Sequence, residues 1–386
     1  MDLQTPAGDP RLLSCLAQMV REGASDLFLT AGAPPTLKRQ GAFTAIAGAA
    51  LSAEEVRTLA YSIMRPAQVE EFEARMECDL AFQTGAVDRF RVNIHLQRGQ
   101  VGMVVRYVSP RIPSLEELGL PPVLRQLAFL KGGLVLTVGA AGSGKTTTLA
   151  ALLNHRNENT TGHILTVEDP IEYLHAHKKS LVTQREVGLD TLSYDEALRH
   201  AMREAPNVIM IGEIRDRVSM QHALHYAEAG HLCVSTLHAN NAYQAVQRIL
   251  NFFPEDAHRQ LLMDLSLNLK AVVAQRLIQG NRGHLVPAVE VMLQTEYVSD
   301  LIQKGQIDGL KTAMERSGEV GMCTFDQALF ALYQRGEISK AETVANADNK
   351  TDITLRMRLA SGASLGAENM RMAPDEPEGA PSNGLH

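Results

Sequence analysis

Gly139-Ala140-Ala141-Gly142-Ser143-Gly144-Lys145-Thr146 is the stretch that decides how this 386-residue chain folds. Its spacing is that of a phosphate-binding loop, and its flanks agree. The run before it, Gly133-Leu134-Val135-Leu136-Thr137-Val138, is apolar and reads as a strand. The run after it, Thr147-Thr148-Leu149-Ala150-Ala151-Leu152-Leu153, reads as the start of a helix. Gly139, Gly142 and Gly144 let the backbone turn tightly and aim N–H groups at phosphate oxygens. The helix N-terminus adds partial positive charge. Lys145 is expected to reach the β- and γ-phosphates and the Thr146 hydroxyl to ligate Mg²⁺. The expected nucleotide contacts run from Gly139 through Ala140, Ala141, Gly142, Ser143, Gly144, Lys145 and Thr146 to Thr147, with ATP and Mg²⁺ as the occupants.

Composition bounds the rest. Hydrophobic residues make up 45% and charged residues 21%, which is ordinary for a globular protein. The length allows two domains with substantial cores. A net charge of −7 argues against a general nucleic-acid binder. Cys15, Cys78, Cys233 and Cys323 are scattered, without a C-x-x-C pair, so neither a zinc site nor a disulfide framework is suggested. No basic-then-apolar leader opens the chain, and no apolar run approaches ~20 residues. A cytoplasmic protein with no transmembrane segment is the expectation.

The chain reads as three parts. Residues 1–110 carry helical patterns and then strand-like runs at 79–82, 90–94 and 102–108, which predicts a small α+β domain. Ser109-Pro110-Arg111-Ile112-Pro113 is a linker. Residues 111–360 alternate strands (134–138, 163–167, 207–211, 232–237) with helices, which predicts an α/β fold with a mainly parallel sheet. Residues 53–76 read as helical, and 255 to about 345 as mainly helical. Residues 361–386, with Pro374, Pro377 and Pro381 among acidic and small residues, are expected to be disordered.

In an open α/β sheet, ligands sit at the carboxyl ends of strands. Glu168 follows the strand His163-Ile164-Leu165-Thr166-Val167, and Glu213 follows Val208-Ile209-Met210-Ile211-Gly212. Phosphoryl transfer to water needs carboxylates to hold the metal and polarise the nucleophile. Glu213 is the choice for the water, and Glu168 is the second carboxylate, acting on metal or water. The metal set is therefore Thr146, Glu168 and Glu213. His231 and His238 bracket one strand, and His238 lies at the end where the γ-phosphate belongs. Spacing alone leaves each histidine equally open to a packed or surface role. His222-x-x-His225 has metal-pair spacing but no third ligand near in sequence, and reads as an exposed helix face. Arg89, Arg91 and Arg106 lie on strands of the first domain; they read either as surface arginines or as charges supplied to a nucleotide across an interface.

Four blocks together resemble the secretion ATPase superfamily that drives type IV pili. Residues 139–146 match its Walker A loop and 164–173 its aspartate box. Ile211-Gly212-Glu213-Ile214-Arg215-Asp216 matches the Walker B, and residues 230–240 the histidine box. Ser25-Asp26-Leu27 and Arg89-Phe90-Arg91-Val92-Asn93 extend the resemblance into a PAS-like N-terminal domain. The resemblance implies a RecA-like ATPase domain and a homohexamer that hydrolyses ATP. It also implies that Arg91 and Arg106 reach the nucleotide and that His231 and His238 belong to the active site. The chain is similar to the PilT/PilU retraction branch, and most to its PilU-like accessory members. That implies a PilT-like paralogue and an inner-membrane platform protein as partners, and a peripheral place at the pilus base.

Two stretches depart from the family pattern. Ala205 and Asn207 stand where acidic residues commonly precede the Walker B strand. Tyr297-Val298-Ser299-Asp300-Leu301-Ile302-Gln303-Lys304 lacks the paired arginines of the PilT retraction motif. Two alternatives therefore stay open: a weakly catalytic ATP-binding subunit of a PilT ring, and a relative serving secretion or conjugation.

Overall fold

The structure, a computed structural model, describes residues 8–39, 41–46, 48–84, 88–108, 110–317 and 321–360. The tail expected to be disordered, 361–386, lies outside the described residues.

The chain opens with a helix, Pro10–Glu22, that starts where Asp9 accepts the backbone N–H of Arg11. It stops at Gly23, whose φ of 65° a side chain would resist. Six strands then build an antiparallel sheet: β1 (Asp26–Leu29), β2 (Thr36–Arg39), β3 (Ala42–Ala45), β4 (Glu77–Thr84), β5 (Asp88–Gln97) and β6 (Gln100–Val108). Their order is β3-β2-β1-β6-β5-β4. The helical stretch expected at 53–76 is two helices, Ala53–Tyr61 and Pro66–Arg75. Pro66 lacks the N–H that would continue the first, and it starts the second instead. Leu12, Leu16, Met19, Leu27, Phe72, Phe90, Val92, Ile94 and Val105 form the core on one side of this sheet. The pleat does the rest. Along β5, Phe90, Val92 and Ile94 are buried, so Arg89, Arg91 and Asn93 share the opposite face. Arg106 on β6 stands directly across from Arg91.

The second sheet has seven strands in the order β13-β12-β7-β11-β10-β8-β9. They are β7 (Gly133–Val138), β8 (Gly162–Glu168), β9 (Ser180–Glu186), β10 (Val208–Ile211), β11 (Leu232–Leu237), β12 (Leu269–Gln279) and β13 (Leu285–Leu293). β8 pairs in parallel with β9 and β10, and β10 with β11. β7, β10 and β11 are buried along their whole length, as strands covered on both faces must be.

The expectation of a mainly helical stretch over 255–345 needs correction. Residues 269–279 and 285–293 are a long antiparallel hairpin, β12 and β13, in register from Ala271↔Leu293 to Gln279↔Leu285. A short apolar run cannot be told from a buried helix by periodicity alone. The turn residues Gly280-Asn281-Arg282-Gly283 between two β-branched-rich runs were the usable signal. β9 was also unforeseen, because Leu181 and Val182 are its two apolar residues amid five polar ones.

The chain divides into two compact units. One comprises the chain to Leu118, Pro122–Val135 and Lys145–Leu237; the other comprises Gly119–Pro121, Leu136–Gly144 and the chain from His238 onward. In the second unit, the buried Glu290 of β13 accepts the backbone N–H groups of Ala242 (2.8 Å) and Phe325 (3.3 Å). These N–H groups begin the helices Ala242–Asn251 and Phe325–Gln334, and each needs an acceptor. Burial pushes the Glu290 carboxyl up to about 7. Glu290→Ala should strand both donors and lower stability by about 2–5 kcal/mol, read as a fall in melting temperature. A variant melting with the wild type would show that neither N–H depends on Glu290.

Candidate active site

The loop after β7 takes up the backbone its sequence demands. Gly139, Gly142 and Gly144 have φ of 157°, 76° and 87°. A Cβ on Gly139 would lie 2.4 Å from the Ser143 hydroxyl and 2.6 Å from the Gln275 carbonyl, and one on Gly144 2.8 Å from the Gln275 side-chain amide. Gly139 and Gly144 are thus required both by the turn and by β12 pressed against it, and Gly142 by the turn alone. Ala140, Ala141 and Gly142 are exposed, while the Ser143 hydroxyl is buried without a hydrogen-bond partner. A buried hydroxyl without a partner, in a glycine-turned loop that leads into a helix N-terminus, fits a loop built for an acceptor-rich group such as a phosphate. Lys145 begins the helix Lys145–Asn159 and is buried. Burial lowers its pKa, and the carboxylates of Glu213 and Glu172 act against that. Thr146 follows at the first turn, and the Thr147 hydroxyl meets the Tyr173 hydroxyl at 2.9 Å.

Three carboxylates gather on this side of the sheet. Glu213 follows β10, and Arg215 Nε donates to its Oε2 at 2.7 Å. Arg215 also lies 3.8 Å from Asp169. Gly212 keeps the backbone slim: a Cβ there would meet the Tyr194 hydroxyl at 2.9 Å. Burial raises the Tyr194 pKa, and Asp169, Glu168 and Glu213 add to the rise, so its proton is firmly held. Glu168 ends β8 and is buried, accepting from the Thr166 hydroxyl (2.7 Å) and the Gln184 amide (3.0 Å). Burial raises its pKa. Glu213 is therefore the better placed of the two for a charged role, and Glu168 is the more embedded in the protein's own hydrogen bonds. Among the described residues no group of three His, Cys, Asp or Glu could cage a metal ion.

The two histidines are not together. His238 follows β11 and lines a cleft of about 400 Å³ with Gly139, Ala140 and Arg248. His231 precedes β11, and its carbonyl accepts from Gly133, the first residue of β7. His222 pairs with Asp195 at 3.1 Å. Arg91 lies 3.5 Å from Glu172, and Arg106 donates to Asp26 at 2.8 Å. Both line a cleft of about 310 Å³ with Tyr107, Val108, Glu172 and Tyr173. Glu172, Tyr173, Tyr194, Arg215 and Gln275 were absent from the sequence-based set. Glu172 and Tyr173 could have been found as the acidic and hydroxyl residues just past the Glu168 strand end; Gln275 lay inside the misread hairpin.

Residues 14–360 match the sequence profile described as Type II/IV secretion system protein. The chain belongs to this secretion ATPase family. It is 51% identical over 347 residues to the type IV pilus ATPase PilU of Pseudomonas aeruginosa, covering 90% of this chain and 91% of that one. It is 40% identical to the PilT retraction ATPase of the same organism, over 84% of this chain and 94% of that one. The crystal structure of the pilus retraction motor PilT with bound ADP superposes with a TM-score of 0.83 at 36% identity, covering 88% of this chain and 98% of that one.

The family's departures noted above have places in the fold. Ala205 holds φ 49°, an unusual backbone for a residue with a Cβ. The Asn207 side chain accepts the His163 backbone N–H at 2.8 Å. Residues 297–304 lie on and just past the helix Glu296–Gln303, with Tyr297 61% exposed and Lys304 paired to Asp300. Among the described residues no helix is long and apolar enough to cross a membrane.

Proposed function

We propose that this chain is an ATP-hydrolysing motor subunit that assembles as a homohexamer and helps retract type IV pili. The observation that carries the reading is the buried Lys145 at the head of the loop-borne helix, faced by Glu213 and Glu172. The family membership and the 51% identity to PilU support the pilus as the machine it serves. In this reading the loop backbone from Gly139 to Gly144 cradles the phosphates, and Lys145 spans the β- and γ-phosphates. Mg²⁺, with Thr146, Glu213 and Glu168 as its protein-side partners, would neutralise charge developing between those phosphates. Glu213 orients the attacking water, and His238, beside Gly139, donates to the transferred phosphate. His231 is kept for a role between subunits.

Arg91 pairs with Glu172 with both side chains partly exposed, a kind of pair that is worth little and exchanges readily for a phosphate. Arg106 is 61% exposed, though its partner Asp26 is buried. Arg91→Ala or Arg106→Ala should lower turnover by at least about tenfold while leaving the fold intact. Wild-type turnover in both variants would remove the arginines from the site. The decisive experiment for the function as a whole is steady-state ATP hydrolysis by the purified protein, alone and with a PilT-like paralogue.

The accessory role rests on the 297–304 helix, which lacks paired arginines. Coupling to a pilus platform needs a contact that differs between nucleotide states. A cell carrying this protein without its PilT-like paralogue should retract pili poorly. With the paralogue present, loss of this protein should lower retraction force, not pilus assembly. Micropillar measurements on single and double deletions decide it; strong retraction by this protein alone makes it an independent motor.

A further inference from the structure

Arg89 and Glu186 form an ion pair that the hydrolysis scheme does not use. Arg89 shares the β5 face with Arg91, and Glu186 ends β9, in register with Glu168 at the end of β8. Their side chains are only 12% and 7% exposed. At that burial each charge depends on the other, because a lone one would be stranded in low dielectric. The Glu186 oxygen that accepts from Arg89 also accepts the backbone N–H of Ile171 at 3.1 Å.

Ile171 is the third residue of the loop that follows Glu168. On one side of it, Asp169 faces Arg215. On the other, Glu172 pairs with Arg91 and acts on Lys145, and Tyr173 meets Thr147. One carboxylate oxygen therefore joins the N-terminal sheet to the first part of a loop that touches the phosphate-binding helix. Arg89 Nε is buried and has no hydrogen-bond partner. A pair shaped for stability alone would satisfy that donor. An incompletely satisfied buried pair suits a contact that is made in one state and released in another.

We infer that Arg89–Glu186 is a latch that fixes the 169–173 loop over the phosphate-binding helix and so sets the rate of turnover. Arg89 and Glu186 are positioning residues that act through Ile171, Glu172 and Tyr173. The inference rests on the ATP-hydrolysis reading only for its kinetic arm.

The test uses full-length protein, with ATP turnover and backbone amide exchange of residues 169–174 measured on the same variants. Arg89→Ala should speed exchange in 169–174 by roughly threefold or more. It should lower kcat by about tenfold, with KM for ATP held within about twofold. Arg89→Lys, which keeps the charge, should recover at least about half of wild-type kcat. The double variant Arg89→Ala/Glu186→Ala should be no slower than Glu186→Ala alone, as two residues of one unit behave. Where Arg89→Ala does not fold, Glu186→Gln carries the same expectations, since it keeps an oxygen for Ile171 and removes the charge. Unchanged exchange in 169–174, or a lysine variant no better than alanine, overturns the latch. A wild-type protein that hydrolyses no ATP overturns the functional reading instead, and the exchange arm still decides the latch.

Discussion

Lys145→Ala should abolish ATP turnover, with a loss of about 10³-fold or more. Burial lowers the lysine's pKa, and Glu213 and Glu172 oppose that shift and favour its charged form. Removing the ammonium does two things at once. It deletes the positive charge that should bridge the β- and γ-phosphates, and it leaves those carboxylates facing the phosphates without a counter-charge. Affinity should fall as well as rate, because like charges brought together in a secluded site repel strongly. Phosphate release and binding of a fluorescent ATP analogue, measured side by side, give the answer. Turnover at the wild-type rate would remove the 139–146 loop as the catalytic phosphate site.

Glu213→Ala should separate binding from hydrolysis. ATP binding should persist, since the loop and Lys145 remain, while turnover falls by about 10²-fold or more, the scale of a lost positioned base. Glu168→Ala should do less. Its carboxylate is buried, raised in pKa and engaged by Thr166 and Gln184, so it holds structure more than it offers charge. If Glu213→Ala turns over normally and Glu168→Ala does not, the roles are reversed. Arg215, bonded to Glu213 at 2.7 Å, predicts a further detail: with the glutamate gone, its nearest acidic neighbour is Asp169.

The phosphate loop, β8, β10, β11 and the carboxylates past their ends were legible because each obeys a local rule. Apolar runs flanked by glycine or an acidic residue can be read one window at a time. What escaped was non-local. Gln275 and Glu290 sit in the hairpin read as helix, and their importance comes from residues far along the chain, such as Ala242, 48 positions from Glu290. The same holds for Glu186. Its partners Arg89 and Ile171 are brought to it by two different sheets, and nothing in Gln184-Arg185-Glu186 advertises that. His231 and His238 read as bracketing one strand, and β11 does lie between them.

Gln275 and Arg276 are neighbours on β12, and the pleat points them to opposite faces. Gln275 fills the space a side chain on Gly139 or Gly144 would need. Arg276 donates to the Asn346 carbonyl and to Asp348, both at 3.0 Å, and lies 4.0 Å from the Phe325 ring centroid. One strand thus serves as a party wall: the face that abuts the phosphate loop leaves no room for a side chain there, and the other face carries the arginine that clasps Asn346, Asp348 and Phe325.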